Sequence, residues 1–247
     1  MMGLLLALAA PAWTVFSDPI TIIFHEGVKG YQGTRDNSLY EDQRDNTNGG
    51  HPFLYAGNNK LGSPRRFLIA FDLSGVPRGA RILAAELTFV VERSADNNAF
   101  AEPHTIHRSL ADWGEGSVDT LQIDPESDGG GGSAAQAGDA TWNSNFHLQS
   151  AWSNPGGDFV PTPSATTDFF GAGSSGTFSG VGLVADAQFW LERPGENFGW
   201  IVRGNEVDLK RAKRFHASEG ELAFRPRLVL TFDPPSRIAA SRWRLYR

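Results

Sequence analysis

Cysteine is absent from this chain of 247 residues, and methionine occurs only twice. Disulfide staples, thiolate metal sites and a cysteine nucleophile are thereby excluded, so stability has to come from a packed core. Long apolar runs are missing too: nothing beyond the N-terminal segment approaches the roughly 18 residues that a membrane-spanning helix needs. Positive charge is in the minority, with 22 Lys and Arg against 28 Asp and Glu and a net charge of −6. A body of that sign has no general attraction for nucleic acid or for an anionic bilayer. Catalytic signatures are equally sparse, since neither a Gly-x-Ser-x-Gly elbow nor a His-Glu-x-x-His pair occurs. The expectation is of a protein that binds or assembles and is not an enzyme.

Glycine (28), proline (14) and phenylalanine (17) are plentiful, a balance that suits short strands joined by turns. Strand signals fall at 20–24, 67–71, 85–92, 104–108, 199–203 and 226–232. Over 85–92, Leu87, Phe89 and Val91 alternate with Glu86, Thr88 and Glu92, the period of a half-buried antiparallel strand. One helix is expected over 181–191, with Leu183, Ala187, Trp190 and Leu191 on one face and Pro194-Gly195 closing it. The polar stretch 34–50 reads as a loop. Residues 124–140, with four consecutive glycines at 129–132, read as an insertion open to disorder. The fold expected is all-β, an antiparallel β-sandwich with one short helix, forming a single domain over 18–235.

Both flanks carry separate expectations. Residues 4–10 are apolar and Ala10-Pro11-Ala12 has the small-residue spacing of a cleavage site, so 1–17 read as a signal-peptide remnant of a secreted protein, with a disordered apolar N-terminus or a first strand as the alternative. Residues 236–247 gather Arg237, Arg242, Trp243, Arg244 and Arg247 without an acid, a basic tail that either contacts a neighbouring copy or an acidic polymer, or is solvated.

Within the body, Trp113, Trp142 and Trp152 lie in loop-rich segments, where they are candidates to stack on sugar rings; core or corner roles are the alternative. Arg65 and Arg66 open a strand and offer charge-assisted bonds to an acidic glycan or to local carboxylates. Asp36, Asp42 and Asp45 supply hard oxygens for a possible Ca²⁺ site, although an EF-hand loop begun at Asp45 fails because Ala56 occupies its twelfth position. Asx turns are the alternative there. His104 and His107, three apart on a strand, face opposite sides and do not chelate one ion. Asp112, Glu115 and Asp158 are the carboxylates a glycosidase would draw on, but their Gly-flanked settings suit turns better.

An ordered series of motifs adds a resemblance. Arg65-Arg66-Phe67-Leu68-Ile69-Ala70-Phe71-Asp72-Leu73-Ser74 leads into Pro77-Arg78-Gly79-Ala80, and Leu87-Thr88-Phe89 follows. Then come Asp112-Trp113-Gly114-Glu115, Thr141-Trp142-Asn143, Asn197-Phe198-Gly199-Trp200, Lys213-Arg214-Phe215 and Arg225-Pro226-Arg227-Leu228. Over about 20–233 this order resembles the DNRLRE-domain proteins of bacterial surfaces, although the literal string that names that family is absent. The resemblance implies a jelly-roll-like sandwich, similar to the transforming-growth-factor propeptide fold, in a secreted or cell-surface setting; some relatives bind acidic polysaccharides. The function expected is a non-catalytic carbohydrate-binding or adhesion module. A structural subunit of an extracellular assembly or filament, acting by self-association, is the alternative, and a polysaccharide-active hydrolase comes third.

Overall fold

The structure, a computed structural model, describes residues 18–97 and 99–235. Residues 1–17, read from sequence as a signal-peptide remnant, and residues 236–247, which bear Arg237, Arg242, Trp243, Arg244 and Arg247, lie outside the described residues. Strand accounts for 38% and helix for 11% of the described structure, which makes it all-β.

In chain order the strands begin with β1 (Ile20–His25), β2 (Thr34–Tyr40), β3 (Asn46–Thr47), β4 (Phe53–Asn58), β5 (Pro64–Phe71), β6 (Arg81–Ser94) and β7 (Glu102–Arg108). After a short helix α1 (Thr120–Ile123) come β8 (Ser133–Ala134), β9 (Ala165–Phe169) and β10 (Ser175–Ser179). Helix α2 (Val181–Glu192) precedes β11 (Trp200–Arg203), β12 (Lys213–His216) and β13 (Arg227–Asp233). Every named pairing is antiparallel. One layer runs β1-β13-β6-β10 and the other β2-β5-β11-β7-β9; β12 pairs with both β6 and β4, and so curls the two layers into one sheet. This is the expected jelly-roll-like sandwich.

Strand β6 keeps its alternation, with Leu87, Phe89 and Val91 buried, but register breaks opposite Thr231/Phe232 and Arg214/Phe215 reset it. An extra residue at each break turns the strand and increases its twist, which lets one long strand serve both layers. Between the layers Phe67, Phe89, Phe169, Phe178 and Phe215 pack ring against ring, with centroids 4.9–6.2 Å apart. Strand β5 is buried on both faces: Phe67, Ile69 and Phe71 enter this core, while Leu68 and Ala70 enter a second one behind it. That is why 67–71 is an unbroken apolar run. The second core is roofed by the long excursion between β7 and β9.

Helix α2 lies where expected, with Leu183, Ala187, Trp190 and Leu191 buried. Two loop expectations are corrected. Residues 34–40 form a strand, although polar, because Asp36 and Asn37 are buried with their hydrogen bonds satisfied: Asp36 Oδ2 accepts from Ser218 N at 2.8 Å, and Asn37 Nδ2 donates to Thr47, Glu115 and Ala140. The glycine-rich loop is ordered, since Gly129 O accepts from Tyr40 and Asn48 while Gly131 O accepts from Asn46. Glycine is required at 129, where φ is +74° and a Cβ would overlap His51 Nε2.

Candidate functional site

Residues 65 and 66 adjoin on β5, so their side chains leave by opposite faces. Arg65 is buried and pairs with Asp42 at 2.9 Å, while its Nε donates to Gly130 O at 3.1 Å. Arg66 grips Glu206 with two bonds of 2.7 and 2.9 Å and lies 4.8 Å over the Trp142 ring. The two arginines therefore do not form one glycan clamp; each joins a local carboxylate.

The tryptophan platform is corrected as well. Trp113 is fully buried with Nε1 donating to Phe198 O, and Trp142 and Trp152 are 5% exposed within the same second core. Large aromatic surfaces gain more from that burial than a loop exposes them to a ligand. Asp36, Asp42 and Asp45 do not converge either, because they are spent on Ser218 N, Arg65 and Asn143 Nδ2 respectively. Among the described residues no group of three or more His, Asp or Glu is placed to hold a metal.

The catalytic alternatives meet similar local satisfaction. Asp112 pairs with Arg35 at 2.6 Å, Asp158 accepts from Ser153 N and Asn154 N, and Glu115 accepts from Asp36 N at 2.8 Å. His51 Nδ1 lies 2.9 Å from Asp119 Oδ1, the orienting half of a triad, yet its Nε2 is buried without a partner. Among the described residues no hydroxyl is hydrogen-bonded to Nε2 to be activated. His104 and His107 do face opposite sides, the former against Phe169 and Phe215 and the latter against Phe159.

What the fold does assemble is an open cleft of about 590 Å³ at the β4–β12–β6 corner. Lys60, Arg65, Arg93, Lys210, Lys213 and Arg214 line it, against the carboxylates of Asp42 and Asp128. The end of β6 brings Arg93, which pairs with Asp128 at 3.0 Å and keeps 44% of its side chain exposed. Paired β12 brings Lys213 and Arg214; Arg214 binds Glu92 and lies 4.3 Å over the Phe53 ring. Lys213 is 1% exposed, with Nζ on Phe170 O at 2.7 Å, and burial lowers its pKa. Burial alone would raise Asp128, but the Gly130 N–H and the Arg93 and Arg214 guanidiniums outweigh it and hold the carboxylate below its usual range. Lys60 and Lys210 stand exposed at the rim. Of these residues sequence reasoning singled out only Arg65 and Asp42. The readable signal was the run Lys210-Arg211-Ala212-Lys213-Arg214; Lys60 and Arg93 are brought to it by strand pairing alone.

A second concavity of about 740 Å³ follows the edge of β1 that has no partner strand among the described residues, between Ile22–Phe24 and the segments around Gly33 and Gly75. Lys29 and Arg227 line it against Asp72. No protein-family model matches the chain, and no curated protein does so either.

Proposed function

We propose that the protein is a secreted, non-catalytic binding module of the DNRLRE type, acting at a cell surface or in an extracellular matrix, and that its cleft takes the acidic groups of an anionic polysaccharide. The observation that carries this reading is the gathering of Lys60, Arg65, Arg93, Lys210 and Arg214 around one open cleft in a chain of net charge −6. Cations outnumber the carboxylates of Asp42 and Asp128 there, and a cleft with an excess of one sign attracts the opposite charge. Lys60 and the exposed part of Arg93 are able to exchange water for carboxylate or sulfate. Arg65 and Arg214, locked on Asp42 and Glu92, keep the wall rigid. The family reading is supported by the ordered motifs and by the sandwich in which they sit.

Calorimetric titration with an oligouronate and with a neutral oligosaccharide tests the proposal. Binding of the acidic ligand alone is expected, weakened about tenfold by Lys60→Ala or Lys210→Ala, the lower end of a bond to a charged group. No new reducing ends should form. Equal binding of the neutral sugar, or variants indistinguishable from the parent, would remove the cleft from consideration.

A structural subunit is the second reading, favoured by the open β1 edge, where Ile20 and Ile23 are about half exposed. Such an edge is a template for another strand.

A further inference from the structure

Part of the cleft wall is the glycine-rich loop 124–132, which contributes Asp128, Gly130 and Gly131. The body of the sandwich holds this loop by a row of carbonyl oxygens. Tyr55 Oη and Arg214 donate to Asp128 O, and Tyr40 Oη and Asn48 Nδ2 donate to Gly129 O at 3.0 and 3.3 Å. Arg65 Nε donates to Gly130 O at 3.1 Å and Asn46 Nδ2 to Gly131 O at 2.9 Å. The Asp128 carboxylate adds its ion pair with Arg93 at 3.0 Å.

His51 lies beneath the middle of the loop. It is 1% exposed, stacked on Tyr55 with ring centroids 6.4 Å apart and met edge-on by Phe53. The Asp119 carboxylate only accepts, so the neutral ring carries its hydrogen on Nδ1, 2.9 Å from Asp119 Oδ1, and a lone pair on Nε2. Among the described residues Nε2 has no partner, and it faces Gly129 so closely that a Cβ there would stand 2.3 Å from it. A second proton would sit on a nitrogen without an acceptor, against backbone that Tyr40 and Asn48 hold in place. Burial opposes that proton most and holds His51 below the ordinary histidine range; the carboxylates of Asp119 and Asp128 favour it and Arg214 opposes it. Further out, Arg93 is on Asp128, Glu92 is on Arg214, and His216 packs on the other side of Phe53.

We propose that His51 is an acid-sensitive latch: a proton on Nε2 drives loop 124–132 off the body, which takes the Asp128 carboxylate away from Arg93 and opens the cleft to an anionic ligand. The folded value of His51 lies below the unfolded one, so the stability given by the neutral ring is present above pH 6.5 and is lost as pH falls through the folded value. That loss falls on the loop because, among the described residues, neither core includes a side chain from 124–132. A segment with so little apolar burial opens locally at less cost than the whole domain unfolds. Water then meets the donors of Tyr40, Asn46, Asn48 and Tyr55 where the loop carbonyls were. The effect on the ligand rests on the proposed function; the movement of the loop does not.

Because the chain has no cysteine, Glu126→Cys puts a single fluorescent label on an exposed position of the loop. Its anisotropy should fall as pH is lowered from about 7.5 to about 4.5 while tryptophan emission stays constant, the mark of local opening. Adding His51→Gln, which takes no proton, should abolish the fall. Adding Asp119→Asn, which keeps a helix cap but removes the charge that favours the protonated ring, should move the midpoint down by about one pH unit. A sulfated oligosaccharide, whose charge is constant over this range, should bind about tenfold more tightly at the lower pH, and equally at both in His51→Gln. No fall in anisotropy, a fall retained in His51→Gln, a tryptophan shift at the same midpoint, or a midpoint unmoved by Asp119→Asn overturns the latch; the last decides even where His51→Gln does not fold. Loop movement with equal affinity at both pH values overturns the opening of the cleft. A His51-dependent fall with no binding at either pH upholds the latch and removes only the glycan reading.

Discussion

Glu115 and His104 show how burial sets charge residue by residue. Burial first, with the neighbouring Glu219 charge adding to it, pushes Glu115 up to about 7 against the opposing Asp36 N–H. Burial between Phe169 and Phe215 pushes His104 down to about 4. For Glu115 the folded value lies above the unfolded one, so its contribution is complete below about pH 4.5 and is lost as pH rises through about 7. For His104 the folded value lies below, so stability is lost as pH falls from about 6.5 through about 4. Glu115→Gln retains an oxygen for Asp36 N and removes only the first effect. At pH 7.5 it should stabilise the protein by on the order of 2 kcal/mol, with little change at pH 4.5, as read from thermal melts; equal melts at both pH values would show that Glu115 is not held protonated. Gly129 offers a second test at this scale. Gly129→Ala should cost about 2–3 kcal/mol through the left-handed backbone and the overlap with His51. Gly173→Ala, where φ is +80° and nothing lies within 4 Å, should cost about 1 kcal/mol. Denaturant midpoints rank the two, and equal costs would refute the cradle.

Among the elements, β12 has the largest structural task, because it alone pairs with both β4 and β6 across the corner. Its Phe215 is fully buried against Phe67, Phe89 and Phe169. Phe215→Ala should cost about 3–5 kcal/mol, and a loss under 1 kcal/mol in chemical denaturation would mean that the layers are joined elsewhere. Strand β1 is at the other extreme: among the described residues it has one neighbour, β13, and Ile23 is half exposed on the opposite edge. If that edge pairs with another copy, light scattering should show mass rising with concentration, and Ile23→Lys should abolish the rise without lowering the melting temperature, since charge on an edge strand blocks pairing at little cost to the fold. A mass independent of concentration in the parent protein would retire the subunit reading. The elements also show what sequence pattern reveals. Strands β5 and β6 were legible because each has an apolar run or a clean alternation. Strand β2 was not, because Asp36, Asn37 and Ser38 are buried by hydrogen bonds whose partners lie up to 182 residues away.

At the scale of the molecule, the tryptophans among the described residues separate two places a ligand can bind. Trp113, Trp142, Trp152, Trp190 and Trp200 are all buried, and none of them lines the basic cleft. Saturation with an oligouronate should therefore leave intrinsic tryptophan emission nearly unchanged while the calorimetric signal titrates; a large spectral shift would return the ligand to a tryptophan surface. The same binding should weaken steeply with added salt, because the participating cations are exposed and the Debye length falls to about 3 Å at 1 M. Salt-independent affinity would point to stacking and hydrogen bonding in place of charge.

The sequence by itself determined that this chain is an antiparallel all-β sandwich with one amphipathic helix, that it has no thiol chemistry, and which strands form its centre. Those conclusions rest on local periodicity and composition, which survive without knowledge of neighbours. Only the tertiary structure decided where the side chains with chemistry point. It buried the three tryptophans under the β7–β9 excursion, separated Arg65 from Arg66 across a strand, and scattered Asp36, Asp42 and Asp45 onto different partners. It also drew Lys60, Arg93 and Lys210 to one cleft from three distant segments. Pairing across the β4–β12–β6 corner brings these residues together, and register between distant strands leaves no local pattern in the chain.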